Sequence, residues 1–306
     1  MTTRIRIGTR ASQLALWQAN WVSAQLQTLG VAVEIVEITT SGDTQQTGPI
    51  AAVGLQGVFT KEVQAAVLAG DADIAVHSLK DLPTEQTPGL LLGAVPEREQ
   101  VADALITLQA SSLAELPAGA RVGTGSLRRQ AQLKHLRPDL EVAGIRGNVG
   151  TRLRKLDQGG YDAIVLAAAG LRRLGWDSRI TELLGPPQML PAVGQGALGI
   201  ECRTDDPVTI GLLAHLDHPA TRQATTAERA MLALLHGGCS APVGAWGRVT
   251  ADQLRLDGLV ANLDGTQVLQ ATASGAPSTA EQIGQQVANQ LLQQGAAQII
   301  ANARQA

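Results

Sequence analysis

Residues 121–152 read RVGTGSLRRQAQLKHLRPDLEVAGIRGNVGTR, and the rest of the chain is organised around them. The stretch opens as a short apolar strand that stops at Gly123-Thr124. Ser126 then stands where a helix should begin, and Arg128 and Arg129 fall in its first turn. Cations there oppose the helix dipole, which favours negative charge at that end. An anion bound at the same end removes the conflict, since free backbone N–H groups and guanidinium forks both point at it. The pattern repeats: an apolar strand (Val142, Ile145), the turn Arg146-Gly147-Asn148, then Arg152 inside the next helix. Four arginines just after two consecutive strand ends describe a socket for several carboxylates or phosphates. The plainer alternative, for any one of them, is a solvated helix surface.

Working outward, the first half echoes this segment. IGTRAS (7–12) parallels VGTGSLRR (122–129), and DADIAVHSL (71–79) parallels YDAIVLAAA (161–169). The echo predicts two similar α/β domains facing each other across a cleft, with mostly parallel sheets and the ligand at their carboxyl ends. Strands are expected at Arg4–Gly8, Val31–Thr39, Ile74–Val76 and Leu90–Val95, with helices over 13–29 (Ser12 as N-cap) and from Phe59 to Leu68. The glycine-rich segment 41–57 reads as a loop. VGQGALG (193–199) fits GxGxxG in form, but Gly199–Cys202 continues as a strand where a dinucleotide site needs a helix. It reads better as a glycine hinge. A helix over Pro219–Leu235, three antiparallel strands (Val243–Val249, Leu254–Val260, Gln267–Thr272) and a helix from Thr279 to Leu292 form a smaller α+β domain. The expected division is 1–97 with 197–216, then 98–196, then 217–306.

Composition narrows the ligand. Aromatic residues make up 2% of the 306, which argues against base stacking. Net charge is -3, so there is no global drive towards nucleic acid or membrane. Positive charge is local: residues 121–173 hold nine arginines and two lysines against Asp139, Glu141, Asp157 and Asp162. Such a site suits a small polyanion. MTTRIRIGTRAS lacks the apolar core of a signal peptide, and no apolar run is long enough to span a bilayer, so the expected location is the cytoplasm.

Two residues invite chemistry. Asp81 sits in a strand-end loop beside Ser78 and Lys80; among arginines it would stay ionised and could stabilise a cation, or it could simply hold a surface turn. Cys239 follows Gly237-Gly238, where the chain can take unusual dihedrals and project a nucleophilic thiol; the bland alternative is a small buried residue. Cys202, inside an apolar strand, reads as that bland case. The histidines (His77, His135, His215, His218, His236) form no ligand cluster, so no metal is expected.

These segments resemble the porphobilinogen deaminase (hydroxymethylbilane synthase) family. The resemblance is carried by IGTRASQLALWQA (7–19), HSLKDLP (77–83), VGTGSLRRQ (122–130), IRGNVGTRLRKLD (145–157), LPAVGQGALGIECR (190–203) and AERAMLALLHGGCSAPVG (227–244), in family order. It implies two similar domains like type II periplasmic binding proteins around a cleft, plus a smaller α+β C-terminal domain. It implies a transferase that joins four porphobilinogen molecules into hydroxymethylbilane with loss of ammonia, on a dipyrromethane cofactor held by thioether to Cys239. By the same resemblance Asp81 is catalytic. Ser12, Lys80, Asp81, Thr124, Ser126, Arg128, Arg129, Arg146 and Gly147 bind the cofactor, and Arg10, Ser12, Phe59, Arg146, Arg152, Arg173 and Gln195 bind substrate. A monomer is implied.

Two positions depart from the family pattern. Gln56 stands where the family usually has lysine, and Arg98-Glu99-Gln100-Val101 lacks the proline of the usual R-E-D-P or R-E-N-P. Neither change removes an assigned residue. A rival reading, a non-catalytic clamp for a small polyanion, shares the arginines but has no need of Asp81 or Cys239.

Overall fold

The structure, a computed structural model, describes residues 4–39, 60–236 and 241–305. The 41–57 segment with Gln56, Phe59 and the Gly237-Gly238-Cys239 turn lie outside the described residues. In chain order, β1 (Arg4–Arg10), α1 (Gln13–Thr28), β2 (Ala32–Ile38), α2 (Lys61–Ala69) and β3 (Ile74–Ser78) lead to a 3-10 turn, Leu79–Asp81. Next come β4 (Leu90–Ala94), β5 (Asp103–Thr107), β6 (Arg121–Gly123), α3 (Leu127–Leu136), β7 (Glu141–Ala143), α4 (Val149–Asp157), β8 (Ala163–Ala167), α5 (Ala168–Arg173) and β9 (Glu182–Leu184). The chain ends with β10 (Leu198–Arg203), α6 (Pro207–Leu213), α7 (Pro219–Leu234), β11 (Val243–Thr250), β12 (Gln253–Ala261), β13 (Val268–Gly275), α8 (Ala280–Gln293) and α9 (Ala296–Gln305).

Two compact units result: Met1–Glu99 with Gly196–Arg222, and Gln100–Gln195 with Gln223–Ala306. The first holds a sheet in the order β2-β1-β3-β10-β4, the second one in the order β7-β6-β8-β5-β9. The orders are the same topology twice. β1 pairs in parallel with β2 and β3, and β6 with β7 and β8. The mostly parallel expectation needs correction, because β10 and β5 each run antiparallel to both neighbours. Each is the first strand after the chain crosses from the other unit. Each enters its sheet beside the finishing end of a neighbour, Leu198 against Ser78 and Asp103 against Ala167, so it must run the opposite way.

In the first unit, Ser12 caps α1 by accepting from Ala15 N, and Gly30 closes it at φ +77°. Ala19, Val22 and Leu26, at helical spacing, bury one face of α1 against Ile7, Ile74 and Ile200. Full burial of each Val, Leu or Ile side chain among them is worth about 1.5–3 kcal/mol. In the second unit, Leu254, Leu256 and Val260 on β12 pack with Met231, Val287, Leu291 and Ile300 of α7, α8 and α9. The opposite face of that strand, Leu259 and Ala261, packs on Ala131 of α3 and on Leu190. The three-stranded sheet therefore closes against the arginine-bearing part within one unit. Residues 217–222 go with the first unit, because Asp217 accepts Val95 N (2.7 Å) and Arg222 donates to the carbonyls of Leu92 and Gly93. The GxGxxG run leads into β10, so no dinucleotide-type helix follows it, and Gly194 and Gly196 sit at φ +70° and +86°. Glu228 of α7 is fully buried and accepts the N–H groups of Gly194 (2.7 Å) and Gly247 (2.8 Å). The last helix, α9, goes beyond the sequence reading; Gly295 at φ +102° separates it from α8.

Candidate active site

In the first unit the expected polar residues gather where β1 and β3 end. Arg10 finishes β1, and Ser12 caps α1. Gln18 of α1 donates to Ser78 Oγ at the end of β3 (2.8 Å). Leu79 and Leu82 are buried with Val95 and Ala197, and Leu79 N donates to Ala197 O (3.0 Å). These two anchors straddle Lys80 and Asp81, leaving Lys80 partly buried and Asp81 exposed. Behind the turn lies a cluster the sequence reading did not find. Glu201 accepts Gln64 Nε2 on both oxygens (3.1 and 2.9 Å), and His77 Nε2 lies 3.1 Å from Glu201 Oε2 without hydrogen-bond alignment. All three side chains are buried. A polar residue inside a strand otherwise apolar, as in LGIECR, was the available signal.

In the second unit the expected residues follow the ends of β6, β7 and β8. Thr124 N bonds Ala143 O (2.9 Å), Ser126 N donates to Thr124 Oγ1 (3.3 Å), and Ser126 caps α3 by accepting from Arg129 N (3.5 Å). Gly147, at φ +111°, makes the turn after β7; a Cβ there would lie 2.6 Å from Thr151 Cγ2. Asn148 caps α4 through Thr151 N (2.9 Å). Arg152 Nε donates to Gly147 O (2.7 Å) and Lys155 Nζ to Arg146 O (3.1 Å), so the turn carrying Arg146 is held from both sides. Arg146 and Gly147 are exposed, while Arg152, and Arg173 at the end of α5, are partly buried.

Arg128 and Arg129 are placed differently from an open socket. Both are buried, and the anion that answers the cationic first turn is the chain's own Asp103. Arg128 Nη1 donates to Asp103 Oδ2 (2.8 Å), and Arg129 Nε to Oδ1 (2.9 Å). Burial pushes the Asp103 carboxyl up, but the two guanidinium groups outweigh it and bring the pKa down to about 2. Burial lowers that of Arg128, with Asp103 opposing. Gln195, expected to touch substrate, has no exposed surface; its Nε2 donates to Val101 O (2.7 Å) and Asp103 Oδ1 (2.9 Å). In this position it supports the arginines. Asp103 escaped the sequence reading because it begins an unrecognised strand, DALIT; an acid at the head of an apolar run was the only mark. Cys202 is buried, with its thiol pushed up to about 11 by that burial, which suits an inert residue. Among the described residues no group of His, Cys, Asp or Glu could hold a metal, and no helix is long and apolar enough to cross a membrane.

A family model for "Porphobilinogen deaminase, dipyromethane cofactor binding domain" matches residues 5–210, and one for "Porphobilinogen deaminase, C-terminal domain" matches residues 222–293. A porphobilinogen deaminase of Pelobacter propionicus is 50% identical over 299 residues, covering 97% of this chain and 96% of its own. One of Geobacter metallireducens is 50% identical over 304 residues, covering 99% and 95%. Among solved structures, an ABC-transporter periplasmic substrate-binding protein of Coxiella burnetii is similar over 74% of this chain and 96% of its own, at TM-score 0.43 and 15% identity.

Doubled α/β units with a small third sheet carry cationic strand ends suited to an anionic ligand, and the family models make the chain a transferase. The chain belongs to the porphobilinogen deaminase family. Its reaction condenses four porphobilinogen molecules head to tail into hydroxymethylbilane, releasing ammonia, on a covalent dipyrromethane primer, as a step of tetrapyrrole biosynthesis. That decides against a non-catalytic clamp. The donor set fits the cofactor: each pyrrole carries an acetate and a propionate, which call for charge-assisted hydrogen bonds. Arg128 Nε, a buried donor without an acceptor, fits such a ligand as well.

Proposed function

We propose that Asp81 is the catalytic carboxylate and Cys239 the attachment point of the cofactor in this chain. The observation that carries the reading is the Leu79–Leu82 clamp, which leaves Asp81 exposed beside the partly buried Lys80 at the carboxyl end of β3. Asp81 would lie near a pyrrole N–H and stabilise the positive charge left when the aminomethyl group departs as ammonia. Ser12, Lys80, Thr124, Ser126, Arg128, Arg129, Arg146 and Gly147 would hold the cofactor, with Arg10, Ser12, Phe59, Arg146, Arg152 and Arg173 binding incoming substrate. The dipyrromethane supplies the primer from which the chain grows. The enzyme would act as a cytoplasmic monomer, without nucleic acid or membrane; its local concentration of arginines in a chain of net charge -3 supports a small anionic substrate.

The test is the intact mass of the purified protein beside its Cys239→Ser variant. A dipyrromethane-sized excess in the parent alone is expected. The same excess in both would move the attachment elsewhere. Sedimentation at equilibrium tests the monomer, which a dimer mass would overturn.

A further inference from the structure

Arg128, Arg129 and Asp103 form a buried cluster with an odd charge count. Two guanidinium groups, 3% and 5% exposed, share one carboxylate that is 0% exposed. Arg129 Nη2 also lies 2.8 Å from Asp103 Oδ1, and its Nη1 donates to Val165 O (3.1 Å). Arg128 Nη1 donates a second bond to Leu190 O (2.7 Å), and its Nη2 reaches Gln195 Oε1 at 3.5 Å. Leu190 is held in turn by Gln132, which accepts Leu190 N–H (2.7 Å) and donates to Leu190 O (3.0 Å). After all this, Arg128 Nε remains buried with no acceptor. Two guanidinium charges meet one carboxylate, so among the described residues the cluster carries one positive charge in excess.

A stabilising device would not be built this way. An uncompensated buried charge and an unmatched buried donor both destabilise a fold, and an apolar cluster would serve better. The surplus makes sense if a second anion completes the set. We propose that Asp103 and Gln195 are positioning residues, holding Arg128 so that its unmatched N–H and the surplus charge are kept for a carboxylate of the bound pyrrole chain. The inference rests on the reading that Arg128 binds the cofactor. Asp103 fixes one edge of the guanidinium. Gln195 ties Asp103 to Val101 O, so the segment after the crossover sets where the carboxylate sits.

The experiment uses full-length Gln195→Met, Asp103→Asn, Arg128→Lys and the double variant Gln195→Met/Arg128→Lys. The readouts, taken well below each melting temperature, are the fraction carrying the dipyrromethane mass before and after incubation with porphobilinogen, and KM and kcat of the loaded fraction. Positioning through Arg128 predicts that Gln195→Met lowers loading and raises KM by about tenfold, with a much smaller change in kcat. It also predicts no further loss when Gln195→Met is added to Arg128→Lys. Gln195→Met decides the matter if Asp103→Asn fails to fold. Normal loading and KM in folded Gln195→Met, with Arg128→Lys impaired, overturns the positioning role alone. Normal loading in Arg128→Lys overturns the reading beneath it. An equal further loss in the double variant places the effect elsewhere and also overturns the proposal.

Discussion

Asp73 and Asp162 hold equivalent places ahead of β3 and β8, and each is locked to the arginine of the adjoining strand by the same reciprocal pair of contacts. Asp73 Oδ2 accepts Arg6 N (2.8 Å) and Asp73 N donates to Arg6 O (2.8 Å). Asp162 Oδ2 accepts Arg121 N (2.7 Å) and Asp162 N donates to Arg121 O (2.9 Å). Asp73 also takes the Arg6 guanidinium on Nε and Nη2 (3.2 and 2.8 Å). The Arg121 side chain turns instead to Gly160 O and Glu141. Asp73→Ala should therefore destabilise more than Asp162→Ala, by about 2–3 against about 1 kcal/mol. The two losses should add, since the sites share no partner. Urea melts of both single variants and the double variant check the order and the sum.

Asp103 links the stability of the second unit to acid. Asp103's carboxyl is brought from 3.8 to about 2 in the folded protein, because its two arginines outweigh burial. A depressed folded pKa gives stability that is complete above the unfolded value and lost as pH falls through the folded one. Asp103 should thus contribute on the order of 2 kcal/mol at neutral pH, fading between about pH 4 and pH 2. The slope of melting temperature against pH in that window should flatten in Asp103→Asn. An unchanged slope would remove the residue from the acid response.

Asp81 is exposed, and its anchoring belongs to Leu79 and Leu82. Asp81→Ala should leave stability within about 0.5 kcal/mol of the parent. Turnover should nevertheless be abolished while covalent loading is kept. Near-normal hydroxymethylbilane formation in that variant would refute the catalytic assignment.

Gly147 cannot take a side chain where it stands. Its φ of +111° and the 2.6 Å approach of Thr151 both oppose a Cβ. Gly147→Ala should displace the Arg146 turn and raise KM for porphobilinogen by about tenfold, costing only about 1–2 kcal/mol of stability. Gly119→Ala is the control: it shares a positive φ (+77°), but nothing lies within 4 Å of the added carbon. It should strain the backbone without touching KM.

The doubled architecture is legible in the sequence because each half repeats a local arrangement: Gly-Thr ending a strand, then a serine opening a helix. Ser12 and Ser126 are both N-caps. The opposed strands β5 and β10 are harder to read, because their direction follows from where the chain enters the sheet and not from alternation within five or six residues. The clash of Arg128 and Arg129 with the helix dipole is visible in the sequence; its answer, Asp103, lies 25 residues upstream of Arg128, and no periodicity connects them. Gln64, His77 and Glu201 escape for the same reason, since Gln64 and Glu201 are 137 positions apart.

Glu228 places a seam where the chain cannot conveniently be cut. Its carboxylate fastens the backbone of Gly194 to that of Gly247, joining the crossover segment to the first strand of the small sheet through the helix that leads towards Cys239. The amide protons of Gly194 and Gly247 should therefore exchange with solvent deuterium only when the whole second unit opens. A split or circularly permuted version would need to keep both of these ties intact.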